Sequence, residues 1–153
     1  MEEYDAIVDA IDSLAEKADL ILRATSLPKH IVFISSMGAA LRRDPFAVRK
    51  TEFWKIKGDP LARALRDKFK KQQIYPKRKF FCVYSEETPM KNLGEEFACG
   101  TEACICANRQ EDASSSWNAR KVHTNGSLCH ITAIFGMSIA GMVINEFVGD
   151  CKG

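Results

Sequence analysis

The apolar positions of this chain fall into two periodicities, and their order predicts a layered α/β fold. Ala6, Ile7, Val8, Ala10 and Ile11 form a nearly continuous run, the pattern of a parallel strand covered on both faces. Ser13 and Glu16 have capping-box spacing, and Leu14, Ala18, Ile21, Leu22 and Thr25 make a helical stripe that stops before Pro28. His30 to Ser35 is a second buried-type strand, so the opening reads as a βαβ unit with a right-handed crossover and parallel strands. Asp12 falls at the carboxyl end of the first strand, the edge where open parallel sheets bind ligands, which makes it the first candidate for a catalytic or metal-binding carboxylate. A second acid at the helix N-cap is the alternative. Asp9, one pleat earlier, either supports Asp12 or ends the strand.

Further along, Phe46 to Ile56 alternates irregularly and is read as strand. Asp59-Pro60 is a strong helix start, with Leu61, Leu65 and Phe69 on one face and Arg63, Arg66, Lys70 and Lys71 on the other. Lys79 to Ser85 reads as another buried strand. From 86 to 121 the pattern dissolves into polar residues and isolated cysteines, which predicts a flexible insertion. An apolar helix closes the chain from about Thr132 to Val148; its longest apolar run, Ile131 to Ile144, is short for a bilayer and predicts a buried helix instead.

Charge and cysteine content sharpen this picture. The 153 residues are 46% hydrophobic with a formal net charge of +2, enough apolar content for a real core. The charges are segregated: between Arg42 and Lys79, 14 Lys or Arg stand against 4 Asp or Glu, so one surface suits an anionic partner, unless it is simply a solvated basic face. Six cysteines without a secretory apolar region before them read as thiols of a cytoplasmic protein. Cys99, Cys104 and Cys106, with Cys129 and His123, are enough donors for zinc, although their spacing is not that of paired knuckles. Nothing places a base beside any thiol, so a nucleophilic cysteine is disfavoured. Trp54 and Phe53, beside the basic region, are candidates for base stacking or for the core.

Ordered motifs carry a resemblance. They are Tyr4 through Ser13, Ser35-Ser36-Met37-Gly38-Ala39, Asp44-Pro45, Gly58-Asp59-Pro60-Leu61-Ala62-Arg63 extended to Arg66, Tyr84-Ser85-Glu86-Glu87, Asn125-Gly126-Ser127 and Thr132-Ala133-Ile134-Phe135-Gly136. Together they resemble the second half of the adenylating enzymes of the ThiF, MoeB and ubiquitin-activating superfamily, most closely the tRNA threonylcarbamoyladenosine dehydratase branch.

The resemblance implies the C-terminal half of a Rossmann-like adenylation domain with a mixed sheet, residues 1–153 forming a single partial domain. It also implies an enzyme using ATP and Mg2+ to adenylate a carboxylate on a modified adenosine of tRNA, with loss of AMP closing a ring. Asp12 then corresponds to the acid that holds Mg-ATP, with Asp9 beside it, and Arg42, Arg43, Arg63, Arg66, Lys70 and Lys71 become candidates for tRNA phosphates. Some members of the wider superfamily hold a structural zinc on cysteines. The relatives are homodimers, which makes self-association an expectation. No Gly-x-Gly-x-x-Gly and no Walker-type Gly-Lys-Ser/Thr occurs in the chain, so the nucleotide-loop half is expected from a missing N-terminal half or an equivalent partner. Activation of a ubiquitin-like sulfur carrier, and a non-catalytic dimerisation or binding module, are the alternatives.

Overall fold

The computed structural model describes residues 4–93 and 125–149. The chain divides into two compact units, one of residues 1–89 with 127–153 and one of residues 90–126. The first contains every helix and strand described below.

Four strands form one sheet in the order β1-β2-β4-β3: β1 Ala6–Asp9, β2 Val32–Ser36, β3 Val48–Glu52 and β4 Phe81–Ser85. The first three in that order are parallel and β3 runs antiparallel against β4, so the expected mixed sheet is present. The strand read over Phe46 to Ile56 narrows to β3, flanked by 3-10 turns at Pro45–Ala47 and Phe53–Lys55. In register, Val8 stands beside Ile34 and Asp9 beside Ser35. Strand alternation therefore sends the Val8 and Ile34 side chains to one face of the sheet and those of Asp9 and Ser35 to the other.

On that second face lie α1 (Leu14–Ser26) and α2 (Pro60–Gln72). Their Ala18, Ile21, Leu65 and Phe69 meet Phe33, Phe53, Phe80 and Cys82 in the larger core. The α2 start follows the sequence pattern: Asp59 accepts from the Ala62 N–H at 2.8 Å and Pro60 occupies the first turn. The capping box expected at α1 is not formed, because the Ser13 side chain makes no cap hydrogen bond.

The opposite face is covered by α3, Cys129–Val148. Only Ile131, Phe135 and Ile139 of this helix are buried, packing on Ile34 and Val83. This corrects the expectation of a buried helix: Met137 is 76% exposed, and Ile144, Phe147 and Val148 also face outward. Among the described residues α3 is the one helix long and apolar enough to cross a membrane by length and composition, with a mean hydropathy of 1.7. Its apolar residues run around the helix, whereas one stripe of them is enough to cover the exposed parts of β2 and β4.

The insertion expected over 86–121 also changes at its start. Glu86 donates its N–H to Ala47 O at 2.9 Å, and Glu87 is bonded to the loop before β3, so both belong to the sheet unit. Its cysteines lie outside the described residues.

Candidate functional site

The carboxyl ends of β1, β2 and β4 share one edge, and three polar arrangements sit there. The first begins at Asp9, the last residue of β1, which is fully buried. Its Oδ2 lies 2.7 Å from Lys17 Nζ and accepts the Ser35 hydroxyl at 2.6 Å, while Oδ1 accepts the Ile11 N–H at 3.0 Å. Lys17 Nζ donates to Ile11 O at 3.0 Å. Ile11 is thus gripped through both its N–H and its C=O by a buried ion pair, and the next residue is Asp12.

Asp12 itself is exposed, three residues beyond β1, on the loop leading into α1. Asp9, by contrast, turns into the protein and both its oxygens are engaged by Lys17, Ser35 and the Ile11 N–H, so it is corrected from a cofactor ligand to a support for the Asp12 loop. The signal was present in the sequence, since Lys17 interrupts the apolar stripe of α1 at a position facing a strand-end acid.

The second arrangement joins the turn after β2 to the start of α2. Leu41 adopts a left-handed backbone with φ of 59°, a conformation that L residues with large side chains take at a cost. The next residue, Arg42, is 1% exposed, with Nη2 3.5 Å from Asp59 Oδ2. Gly38 lies beside that same oxygen, where a Cβ would sit 3.5 Å away in ordinary contact. Among the described residues, Arg42 Nε and Nη1 and Asp59 Oδ2 have no hydrogen-bond partner. Burial lowers the Arg42 pKa and raises that of Asp59, in each case outweighing the attraction between them. Arg42 is therefore corrected from a tRNA-phosphate candidate: its charge is sequestered and faces an internal acid.

In the third, Glu87 Oε2 accepts the N–H groups of Arg43 and Asp44, both at 2.9 Å. Those bonds, Asp44 first, hold its carboxyl below the usual range. The Arg43 side chain is exposed, with Nε 3.9 Å from Glu87 Oε1.

The remaining basic candidates lie along α2. Arg63, Lys70 and Lys71 are exposed, whereas Arg66 is half-buried and donates from Nη1 to Ile56 O at 2.9 Å and Phe53 O at 3.3 Å. Arg66 is thus partly committed to holding the turn before α2. Lys70 and Lys71 stand at the far end of that helix from Asp59. The structure does not bring all six cations together.

Cys99, Cys104, Cys106 and His123 lie outside the described residues, and Cys129 is exposed. Among the described residues no group of three or more His, Cys, Asp or Glu could hold a metal ion. The buried Cys82 has its pKa pushed well up, mainly by burial, which makes it a poor nucleophile. A depression of about 150 Å³ lies between Arg78, Lys79 and Phe81 and the Met142 and Glu146 end of α3, at the amino ends of β2 and β4 and away from Asp12. It is too small for a nucleotide.

No protein-family model matches the chain. It is 34% identical over 86 residues to the tRNA threonylcarbamoyladenosine dehydratase of Bacillus subtilis, covering 56% of this chain and 32% of that protein. It is 28% identical over 138 residues to the enzyme of the same name from Escherichia coli, covering 87% of this chain and 48% of that protein. Among solved structures, the E. coli dehydratase in complex with AMP superposes with a TM-score of 0.65 at 23% identity, covering 95% of this chain and 49% of that one. The same enzyme in complex with ATP gives 0.62 at 23% identity, with the same coverage of both chains. The chain thus spans about half or less of the relatives it matches, in their C-terminal part, and shares the α/β fold of the dehydratases.

Proposed function

We propose that this chain carries the C-terminal part of an ATP-dependent tRNA threonylcarbamoyladenosine dehydratase, active together with the part of those relatives that it does not span. The observation that carries this reading is Asp12: an exposed carboxylate at the ligand edge of a parallel sheet, on a loop held by Asp9 and Lys17. The resemblance of the chain to dehydratases solved with AMP and ATP supports it.

The residues fit one part of a Mg-ATP site. Magnesium usually takes one or two carboxylates from a protein and its other ligands from phosphates and water, so Asp12 suffices as this chain's share. Bound Mg-ATP would supply the adenylyl group that activates the substrate carboxylate. Within this chain, Asp12 would hold the cation through a hard anionic oxygen, and the clamp on Ile11 fixes the backbone next to it. Preorganisation of this kind spares reorganisation during the reaction. Arg63, Lys70 and Lys71, with the exposed Arg43, are the cations left to meet tRNA phosphates.

The test is a chimera in which the unspanned N-terminal part of the E. coli dehydratase precedes this chain, produced in E. coli cells lacking their own dehydratase. Mass spectrometry of the tRNA nucleosides should find the cyclised modification, and Asp12→Ala in the chimera should abolish it. A soluble, folded chimera that leaves the modification open would overturn the proposal. The chain by itself should show no micromolar heat of binding with Mg-ATP in isothermal titration.

A further inference from the structure

The 3-10 turn Phe53–Lys55 separates two adjacent aromatic residues. Phe53 is fully buried and stacks on Phe80, with centroids 5.0 Å apart and planes at 18°. Trp54 packs edge-on against Phe53, with centroids 5.1 Å apart, yet keeps 39% of its surface exposed and meets Tyr75, itself 44% exposed, with centroids 6.2 Å apart. The turn beneath them is held from both sides, because Glu52 Oε1 accepts the Trp54 N–H at 3.2 Å and Arg66 donates to the carbonyls of Phe53 and Ile56. Trp54 is therefore presented by a braced backbone, and Tyr75 follows the exposed Ile74 in the chain.

The charge of the segments carrying the pair is mainly positive. Lys55 and Lys57 follow Trp54 in the chain and are exposed. Lys70 and Lys71 occupy the last turn of α2, and Lys77 follows Tyr75. From Lys68 to Lys79 there are six Lys or Arg and no acid. Of the acids in these segments, Glu52 accepts the Trp54 N–H, Asp59 is buried against Arg42, and Asp67 on α2 is exposed.

We propose that Trp54 and Tyr75 form a stacking platform for unpaired RNA bases, with Lys55, Lys70, Lys71 and Lys77 taking the flanking phosphates. Aromatic rings in the open bind bases that a duplex would keep stacked away, and clustered lysines supply the salt-dependent part of the affinity. A protein partner would need a strongly acidic surface to meet these cations, whereas RNA brings the charge and the π-faces together. This inference deepens the reading of the chain as part of a tRNA-modifying enzyme and rests on it. Phe53 N–H donates to Phe80 O, so the platform stands at the amino end of β4, opposite the Asp12 edge. About 17 Å of strand separates the two, which makes the platform a place to grip the RNA away from the reacting nucleotide.

The experiment uses the full chain with Trp117→Phe, leaving Trp54 as the one remaining tryptophan. An RNA hairpin with an unpaired loop should quench Trp54 emission saturably, and a fully paired RNA of equal length should not. Anisotropy of the labelled hairpin should show binding weakened about tenfold in Trp54→Ala and largely retained in Trp54→Phe, the scale expected for loss of one stacked base. Matching thermal melts for the parent and both variants would certify folding. If hairpin leaves the emission unchanged, or Trp54→Ala binds as tightly as the parent, the platform is overturned. Quenching by an acidic polypeptide but not by the hairpin would also overturn it, in favour of a protein partner. A chimera that cyclises tRNA while Trp54→Ala binds RNA normally would sink the platform and leave the dehydratase reading intact; loss of cyclisation by a folded chimera would sink the reading itself.

Discussion

Lys17 Nζ and Asp9 Oδ2 lie 2.7 Å apart with both side chains fully buried, and between them they hold the N–H and the C=O of Ile11. Removing one partner strands a charge in the interior. Lys17→Met should therefore cost about 3–5 kcal/mol of stability by chemical denaturation. Equal denaturation curves for Lys17→Met and the parent would show that the clamp is not structural.

The Arg42–Asp59 pair differs because its partners are incompletely satisfied among the described residues. Arg42→Met alone leaves the Asp59 carboxylate buried and should be strongly destabilising near neutral pH. Adding Asp59→Asn keeps an N-cap acceptor for α2 and should recover most of that loss, since replacing both ends of a buried pair is often neutral. A double-mutant cycle measures the coupling.

Because burial raises the Asp59 pKa, the folded chain binds that proton more tightly than the unfolded chain does. Its contribution is fully present below the ordinary aspartate value and is lost as pH rises through the raised folded value. Denaturation of the Arg42→Met variant at pH about 4 should show a smaller deficit than at pH about 7. A deficit independent of pH would count against this account.

Glu87 has the opposite sign. The N–H groups of Asp44 and Arg43 hold its carboxyl below the ordinary range. Its stabilisation is thus present above the ordinary glutamate value and lost as pH falls through the lower folded value. Glu87→Gln should lower the melting temperature at neutral pH, and the gap to the parent should close as the solution is acidified. A gap that persists in acid would place the effect in packing.

On α3, Phe135 is buried and Met137 lies in the open. Phe135→Ala should cost about 3–5 kcal/mol, while Met137→Lys should leave stability unchanged within about 0.5 kcal/mol. Isolated chains with this exposed apolar face should associate, and Met137→Lys with Ile144→Lys should shift sedimentation toward monomer. A parent chain that is monomeric at high concentration would show that the face needs no cover.

Much of the fold was legible along the chain because its elements are specified locally. The stripe from Leu14 to Thr25, the Asp59-Pro60 start and the short apolar runs of β2 and β4 each carry their period or cap within a few residues. Asp12 was legible as a candidate for the same reason, since a strand followed by a helix defines a ligand edge. What could not be read was where each polar side chain goes. Asp9 and Lys17 are eight residues apart, Arg42 and Asp59 seventeen, and Glu87 reaches back more than forty to the Arg43 and Asp44 backbone. Residues so separated meet only once strand pairing and helix packing have brought them together, so no periodicity records them.

The split between Phe53 and Trp54 has the same origin: one aromatic residue enters the core and its neighbour does not, because the turn carrying them is placed by the Phe80 carbonyl and by Arg66. The sequence by itself determined the helices, the parallel opening and the place of Asp12 beyond the carboxyl end of the first strand. Only the tertiary structure decided which charges are buried to hold that edge and which remain exposed to solvent, because burial belongs to the packed chain and not to any segment of it.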